Sequence, residues 1–227
     1  MKPANLAFLS AFGFTAAVIV FVVLFGQTMP QTAAGMAEGY ETPILALEFA
    51  NSRDDLAFVR AEDAGELRAG FIAGQRLDVW FPLAYGGLMI VVLAGLALRG
   101  RPLAWVGVLA AAIAIPADWW ENAVIHQILT DPEGAPAHLP ALAASTFTKW
   151  FAISGAAEIF ALAVLRQGWW PLAILALPCS IAWPVVAVMG APGGLAELGS
   201  TATTLFFLTL PVTAGWALYR GRREKIA

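Results

Sequence analysis

Six stretches of this chain are almost entirely apolar, and polar segments separate them along the sequence. They cover residues 4–25, 77–98, 103–129, 145–165, 169–189 and 201–219. A helix of about 20 apolar residues crosses the hydrocarbon core of a bilayer, where every backbone group has to be hydrogen-bonded within the protein. The pattern therefore predicts an all-α polytopic bundle with six transmembrane helices, which forms a single membrane domain over residues 1–227.

The largest aqueous segment lies between the first and second predicted spans. Within it, residues 40–76 mix apolar side chains with charges, and helix-start signals occur at Thr42-Pro43 and at Ser52 with Asp55. This pattern is typical of short amphipathic helices that lie on the membrane surface or cap a bundle. We call residues 40–76 the lid. The sequence leaves open whether the lid is only structural or covers a site.

Composition narrows the class of protein further. Hydrophobic residues make up 59% of the chain and charged residues 13%, whereas about a quarter of the residues of a soluble domain are charged. This excludes a disordered chain, a nucleic-acid-binding protein with a basic surface and almost any soluble enzyme. The expected partners are membrane lipids, with other membrane subunits as a second class, and no nucleic acid.

Charge differs between the two sides of the predicted bundle. Six crossings place both termini and the turns at 99–102 and 166–168 on one side, which carries eight bases and one acid, Glu224. The other side carries five bases and fourteen of the sixteen acids. Because cytoplasmic segments of membrane proteins are enriched in Lys and Arg, both termini are predicted to be cytoplasmic and the lid periplasmic. The expected location is the bacterial cytoplasmic (inner) membrane.

Tryptophan positions support the predicted ends of the spans on both sides of the membrane. Eight of the nine tryptophans fall near predicted span ends, as in the aromatic belts of membrane proteins. Trp150 is one of the predicted interfacial anchors, and Trp183 alone lies well inside a span. Residues 190–200 are predicted to form a flexible outer turn that carries a single acid, Glu197.

The third predicted span ends in a group of polar residues. Because a helix turns 100° per residue, Asp118, Glu121 and Asn122 share one face about 100° wide. Asp118 lies about 22 Å along this helix from Leu103, near the outer hydrocarbon boundary. Two carboxylates and an amide are costly at that depth unless they have partners.

The neighbouring spans supply three such partners at the same depth. Asp78 begins the second span, and Tyr85 follows seven residues later on the same helical face. Lys149 begins the fourth span at the same outer side. Together with the three residues of the third span, they form the candidate ligand-binding set.

Two interpretations of this set remain open. In the first, the side chains only pair with one another and with the lid. In the second, they line an outward-facing acidic pocket that binds a small cationic or hydroxylated ligand or a lipid head group. Carboxylates and an amide also suit a hard metal cation, but no spacing is diagnostic, so neither a metal nor a cofactor is predicted. The sequence carries no recognisable catalytic motif and leaves open whether the protein is an enzyme.

Glu158 differs from this set because it lies within the fourth predicted span. It is nine residues from Lys149, which places the two on opposite faces of the helix. A carboxyl at this depth is expected to be protonated or hydrogen-bonded to a neighbouring helix, where Thr209 and Thr213 are available. One alternative function is a non-catalytic subunit or assembly factor of a larger membrane complex, which the small size, the tryptophan content and the lack of a catalytic motif favour. A second alternative is a proton-coupled transporter that uses Glu158.

Overall fold

The chain folds almost entirely into helices. The computed structural model describes residues 2–223, with only the backbone for residues 222 and 223; 79% is helix, and these residues contain no strand. The long helices are α1 (Pro3–Thr28), α5 (Phe81–Ala97), α6 (Ala104–Thr130), α7 (Leu139–Leu165), α8 (Trp170–Val188) and α9 (Gly193–Arg223). The lid contributes α2 (Pro43–Glu48), α3 (Ala57–Arg60) and α4 (Gly65–Asp78), and a 3₁₀ turn at Ala135–His138 precedes α7. The predicted all-α class is confirmed.

Five of these helices are long and apolar enough to cross a membrane, and α4 and α5 together make a sixth candidate that bends by 41°. Their outward faces carry large exposed apolar side chains, including Ile19, Leu109, Ile181 and Leu208. This is the surface expected of a multi-pass membrane protein. The helix breaks between Asp78 and Phe81, near the start of the second predicted span, 77–98, whose bounds in the membrane stay a prediction. Pro82 lies in the first turn of α5 and has no N–H, so it removes one hydrogen bond to the preceding turn.

Two other helices begin earlier in the chain than the spans predicted for them. Helix α7 begins at Leu139, six residues before the predicted start at 145, and α9 begins at Gly193 rather than at 201. Residues 193–200 are therefore helical, and the prediction of a flexible turn over 190–200 was wrong for most of its length. Helix α9 begins with small and polar residues, GGLAELGS, so hydropathy alone does not mark where it starts.

The six long helices of the described chain form a ring. Each packs against the next along the sequence, from α1 and α5 through to α9, and α9 closes the ring against α1. Arg99, after α5, donates to the Ala217 carbonyl of α9 at 2.6 Å and to Asn5 Oδ1 of α1 at 2.8 Å. The start of α1 and the ends of α5 and α9 therefore meet on one side, which also carries the turns at 98–103 and 166–169. We call this the turn side, and the opposite one the lid side.

The lid has a hydrophobic core of its own, which rests on the ends of α6 and α7. Leu47, Leu56 and Phe71 from the lid are buried against Ile125 of α6 and Leu142 of α7. The lid therefore caps the bundle; it does not lie flat beside it.

Hydrogen bonds fasten the start of the lid to the start of α9. Glu197 Oε1 accepts from the backbone N–H groups of Glu41 and Thr42 at 2.9 and 2.7 Å, and Glu197 Oε2 accepts from the Thr42 hydroxyl at 2.8 Å. The Tyr40 hydroxyl donates to the Ala191 carbonyl at 2.8 Å. The residue predicted to lie in a flexible turn, Glu197, thus attaches the start of the lid to α9.

Candidate functional site

Lys149 of α7 is the centre of a buried ionic cluster on the lid side. Its Nζ is hydrogen-bonded to Glu121 Oε2 of α6 and lies 3.1 Å from Glu48 Oε1 of α2. The side chains of Lys149, Glu121 and Glu48 are only 6%, 1% and 10% exposed. Two membrane helices and the lid therefore meet at one ammonium group.

A second group of polar contacts adjoins the first along α6. The Tyr85 hydroxyl donates to Asp118 Oδ2 at 2.7 Å, and Asn122 Nδ2 lies 3.5 Å from Asp118 Oδ1. Gln75 Nε2 of the lid donates to the Asn122 backbone carbonyl at 3.1 Å. Tyr85 and Asp118 are buried, whereas Asn122 is half-buried.

All six predicted ligand-binding residues come together on the lid side. Asp78 at the end of α4 interacts with Asn122 and is half-buried, so these two form the accessible edge of the cluster. The four other members form its buried base: Tyr85, Asp118, Glu121 and Lys149. Their role in binding a ligand stays a prediction.

Glu48 is the member of the cluster that sequence reasoning missed. It is the last residue of α2, and its backbone carbonyl accepts from the Thr146 hydroxyl at 3.1 Å. Burial raises the pKa of Glu48 above its ordinary value, and the positive charge of Lys149 offsets only part of this effect. A signal was present in the sequence: Glu48 is the single acid in the apolar run 43–50, and a buried acid needs a partner.

Aromatic rings form one wall of the cluster. Trp150 Nε1 donates to Glu48 Oε2 at 3.1 Å, and the Trp150 ring stacks on Trp183 with 3.8 Å between centroids. Trp183 also stacks on Phe49 of the lid at 5.5 Å and donates to the Thr203 hydroxyl at 2.9 Å. The prediction of Trp150 as a membrane-interface anchor was therefore wrong, because its indole faces the lid and the bundle interior.

The cluster has more acidic than basic groups. Among the residues that the structure describes, Glu48, Asp78, Asp118 and Glu121 supply four carboxyl groups near the single amine of Lys149. Glu121 Oε1 is buried and has no hydrogen-bond partner within the described chain. Because like charges repel strongly where water is excluded, this arrangement attracts positive charge, either as protons or as a cationic group.

Glu158 lies apart from the cluster, on the outward face of α7. It is exposed and lines a groove of about 540 Å³ between α7 and α8, together with Ser180 and Pro184. The expected hydrogen bond to Thr209 or Thr213 was wrong: neither bond forms in residues 2–223, and the Thr209 hydroxyl donates to a carbonyl of its own helix. Sequence spacing gives the face of one helix, but it does not identify the helix that this face meets.

No family of known proteins, no curated protein and no solved structure matches this chain. Within residues 2–223, no three His, Cys, Asp or Glu side chains are grouped so as to hold a metal ion. The function of the chain therefore has to be inferred from the contacts and charges of its own residues.

Proposed function

We propose that this membrane protein binds a small ligand in the lid-side cluster, and that the ligand carries a positive charge or hydroxyl groups, as a lipid head group does. The observation that carries the proposal is the excess of carboxyl groups over amines in one buried region of the bundle. A cationic group that enters from the half-buried edge at Asp78 and Asn122 would offset this excess, and the carboxylates would accept its hydrogen bonds.

Movement of the lid is the route by which a ligand would enter the lid-side cluster. Glu48 is held on a six-residue helix, so withdrawal of α2 would remove one acid from Lys149 and open the aromatic wall at Trp150. Short lid segments have lower local stability than the long helices of a bundle. Movement of the lid away from α7 would therefore give a ligand access to the cluster.

We also propose that the turn side faces the cytoplasm, because five basic residues of the described chain lie there: Lys2, Arg99, Arg101, Arg166 and Arg220. The lid-side cluster would then open toward the periplasm or its equivalent. The bacterial inner membrane as the location stays a prediction.

Thermal unfolding of the full chain in detergent tests the binding proposal. Ethanolamine, choline and glycerol are added separately at constant ionic strength, and the midpoint temperature is recorded, since a ligand that binds only the folded state raises it. We expect at least one of these compounds to stabilise the wild-type protein. In Asp118→Asn the apparent affinity should fall about tenfold, because a charge-assisted hydrogen bond is lost.

Glu133→Gln is the matched control, since it also removes one acid from the lid side but at an exposed position. This control should respond as the wild type does. The proposal fails when none of the three compounds stabilises the wild type, or when the response of Asp118→Asn equals that of Glu133→Gln.

A second candidate function is a subunit of a larger membrane complex, and Glu158 favours it. A carboxyl on the outward surface of a membrane helix is costly against lipid. A partner helix that donates a hydrogen bond or carries a cation in the groove between α7 and α8 would remove this cost. The transporter hypothesis also uses Glu158 and stays a prediction.

Native mass measurement after gentle solubilisation tests the subunit hypothesis. We expect a particle heavier than one 24.0 kDa chain, and Glu158→Leu should release the partner because the polar contact is lost. Glu133→Gln should leave the complex intact. A wild-type particle that contains a single copy of this polypeptide alone would contradict the hypothesis.

A further inference from the structure

A cavity of about 640 Å³ opens on the turn side, opposite the lid-side cluster. Four helix ends contribute to it: the start of α1, the turns after α5 and α7, and the end of α9. Among the residues that the structure describes, its lining includes the cations Lys2, Arg99, Arg101 and Arg220 and no Asp or Glu. The cavity is therefore strongly basic.

Several of these cations are held by neutral groups. Arg220 lies over the rings of Trp169 and Trp216, with its Cζ atom 5.9 and 5.5 Å from the ring centroids. Arg101 donates to a backbone carbonyl of the α7–α8 turn at 3.4 Å. Within the part of the chain that the structure describes, Lys2, Arg101 and Arg220 form no ion pair. Cation–π and carbonyl contacts position the charges but do not neutralise them.

Two buried donors at the cavity have no acceptor among residues 2–223. The indole Nε1 of Trp169 and the amide Nε2 of Gln167 are buried without a hydrogen-bond partner among residues 2–223, and both side chains line the cavity. Trp169 is only 6% exposed. An N–H group that loses water without gaining an acceptor destabilises the fold, so these donors point to an acceptor supplied by a ligand.

We propose that this cavity binds an anionic phosphoryl group, carried either by the head group of an acidic phospholipid or by a soluble phosphate compound. Phosphate oxygens accept hydrogen bonds from guanidinium and indole N–H groups, which are the donors that line the cavity. The volume lies within the range of small-molecule sites, so it accommodates more than a lone ion. Basic pockets between membrane helices recognise phospholipid head groups by the same chemistry.

Thermal unfolding with two sources of phosphate tests the proposal on the full chain. In one arm the protein is placed in nanodiscs of phosphatidylcholine with or without phosphatidylglycerol. In the other, inorganic phosphate replaces chloride at constant ionic strength, so that general screening is unchanged. We expect stabilisation in at least one arm. Trp169→Phe, which keeps an aromatic ring at this position but removes the indole N–H, should weaken the binding about tenfold.

Two pairs of variants separate the cavity from general surface charge. Trp170→Phe is the control for Trp169→Phe, because Trp170 is the adjacent tryptophan and is 60% exposed. Arg166→Gln is the control for Arg220→Gln, since it removes the same charge from the turn side. A response in the lipid arm alone identifies a head group, and one in the phosphate arm alone identifies a soluble compound. The absence of any response, or equal responses within both pairs, overturns the proposal.

Discussion

Replacement of Lys149 by methionine is expected to lower the free energy of unfolding by about 3–5 kcal/mol, because it leaves buried carboxyl groups without their cation. Glu121 and Glu48 both lose the ammonium group that they share. Chemical or thermal unfolding of the purified variant in detergent measures the loss. The result would show that Lys149 holds the lid and two membrane helices together.

Two further variants make this prediction specific. Arg53→Met removes a lid-side cation that is exposed and 3.9 Å from Glu133, so it should change stability by less than about 1 kcal/mol. The triple variant Glu48→Gln, Glu121→Gln, Lys149→Met should recover most of the loss, since no unpaired charge remains buried. The interpretation of Lys149 is wrong when Lys149→Met is no less stable than Arg53→Met.

The stability data also bear on the proposed binding. When Lys149→Met and Asp118→Asn are both severely destabilised, and no head-group compound stabilises any form of the protein, the cluster is a structural polar network. A compound that stabilises the wild type but has about tenfold lower affinity for Asp118→Asn identifies a binding site. The two interpretations of the cluster therefore differ in ligand response, although both require Lys149 for stability.

Gly193→Ala is expected to detach the start of the lid from α9. A Cβ atom at Gly193 would lie 2.4 Å from the carbonyl carbon of Gly39 and 2.5 Å from the Tyr40 nitrogen. Both atoms belong to the backbone, so no side chain can rotate to relieve the overlap, and the cost of such overpacking is about 1–3 kcal/mol. Hydrogen exchange of the peptide that contains Tyr40 and Thr42 should become about tenfold faster or more.

Gly194→Ala provides a close control in the same turn of α9. A Cβ atom there meets nothing within 4 Å, while the change in helix propensity is of the same kind as at Gly193. Exchange in the lid of this variant should equal that of the wild type. Equal exchange rates in the two alanine variants would contradict the close approach of the lid to α9.

Faster hydrogen exchange at the start of the lid should be accompanied by easier access of a ligand to the lid-side cluster. The start of the lid continues directly into α2, which carries Glu48 to Lys149. A lid detached at Gly193 should therefore release Glu48 more often and raise the on-rate of any ligand that binds the lid-side cluster. The segment from Glu41 to Glu48 therefore connects the hydrogen bonds at Glu197 with the access of a ligand to Lys149.

Hydropathy and helical periodicity were sufficient to predict the helical class, most of the long helices and the presence of a lid, because both patterns act over neighbouring residues. It also placed Asp118, Glu121 and Lys149 at one depth, since helix rise and span length determine how far each lies from a membrane boundary. These predictions depend only on distances along the chain, and the structure brings the three residues together.

The partners that these residues contact depend on how the helices and the lid pack together, which no local pattern predicts. Glu48 reaches Lys149 because the lid folds back over α6 and α7, and no local pattern encodes that return. The same limit explains why Trp150 faces Trp183 instead of lipid, and why Glu158 faces outward, away from Thr209. Periodicity gives the direction of a side chain around its own helix, whereas the neighbour it contacts depends on how separate helices pack in three dimensions.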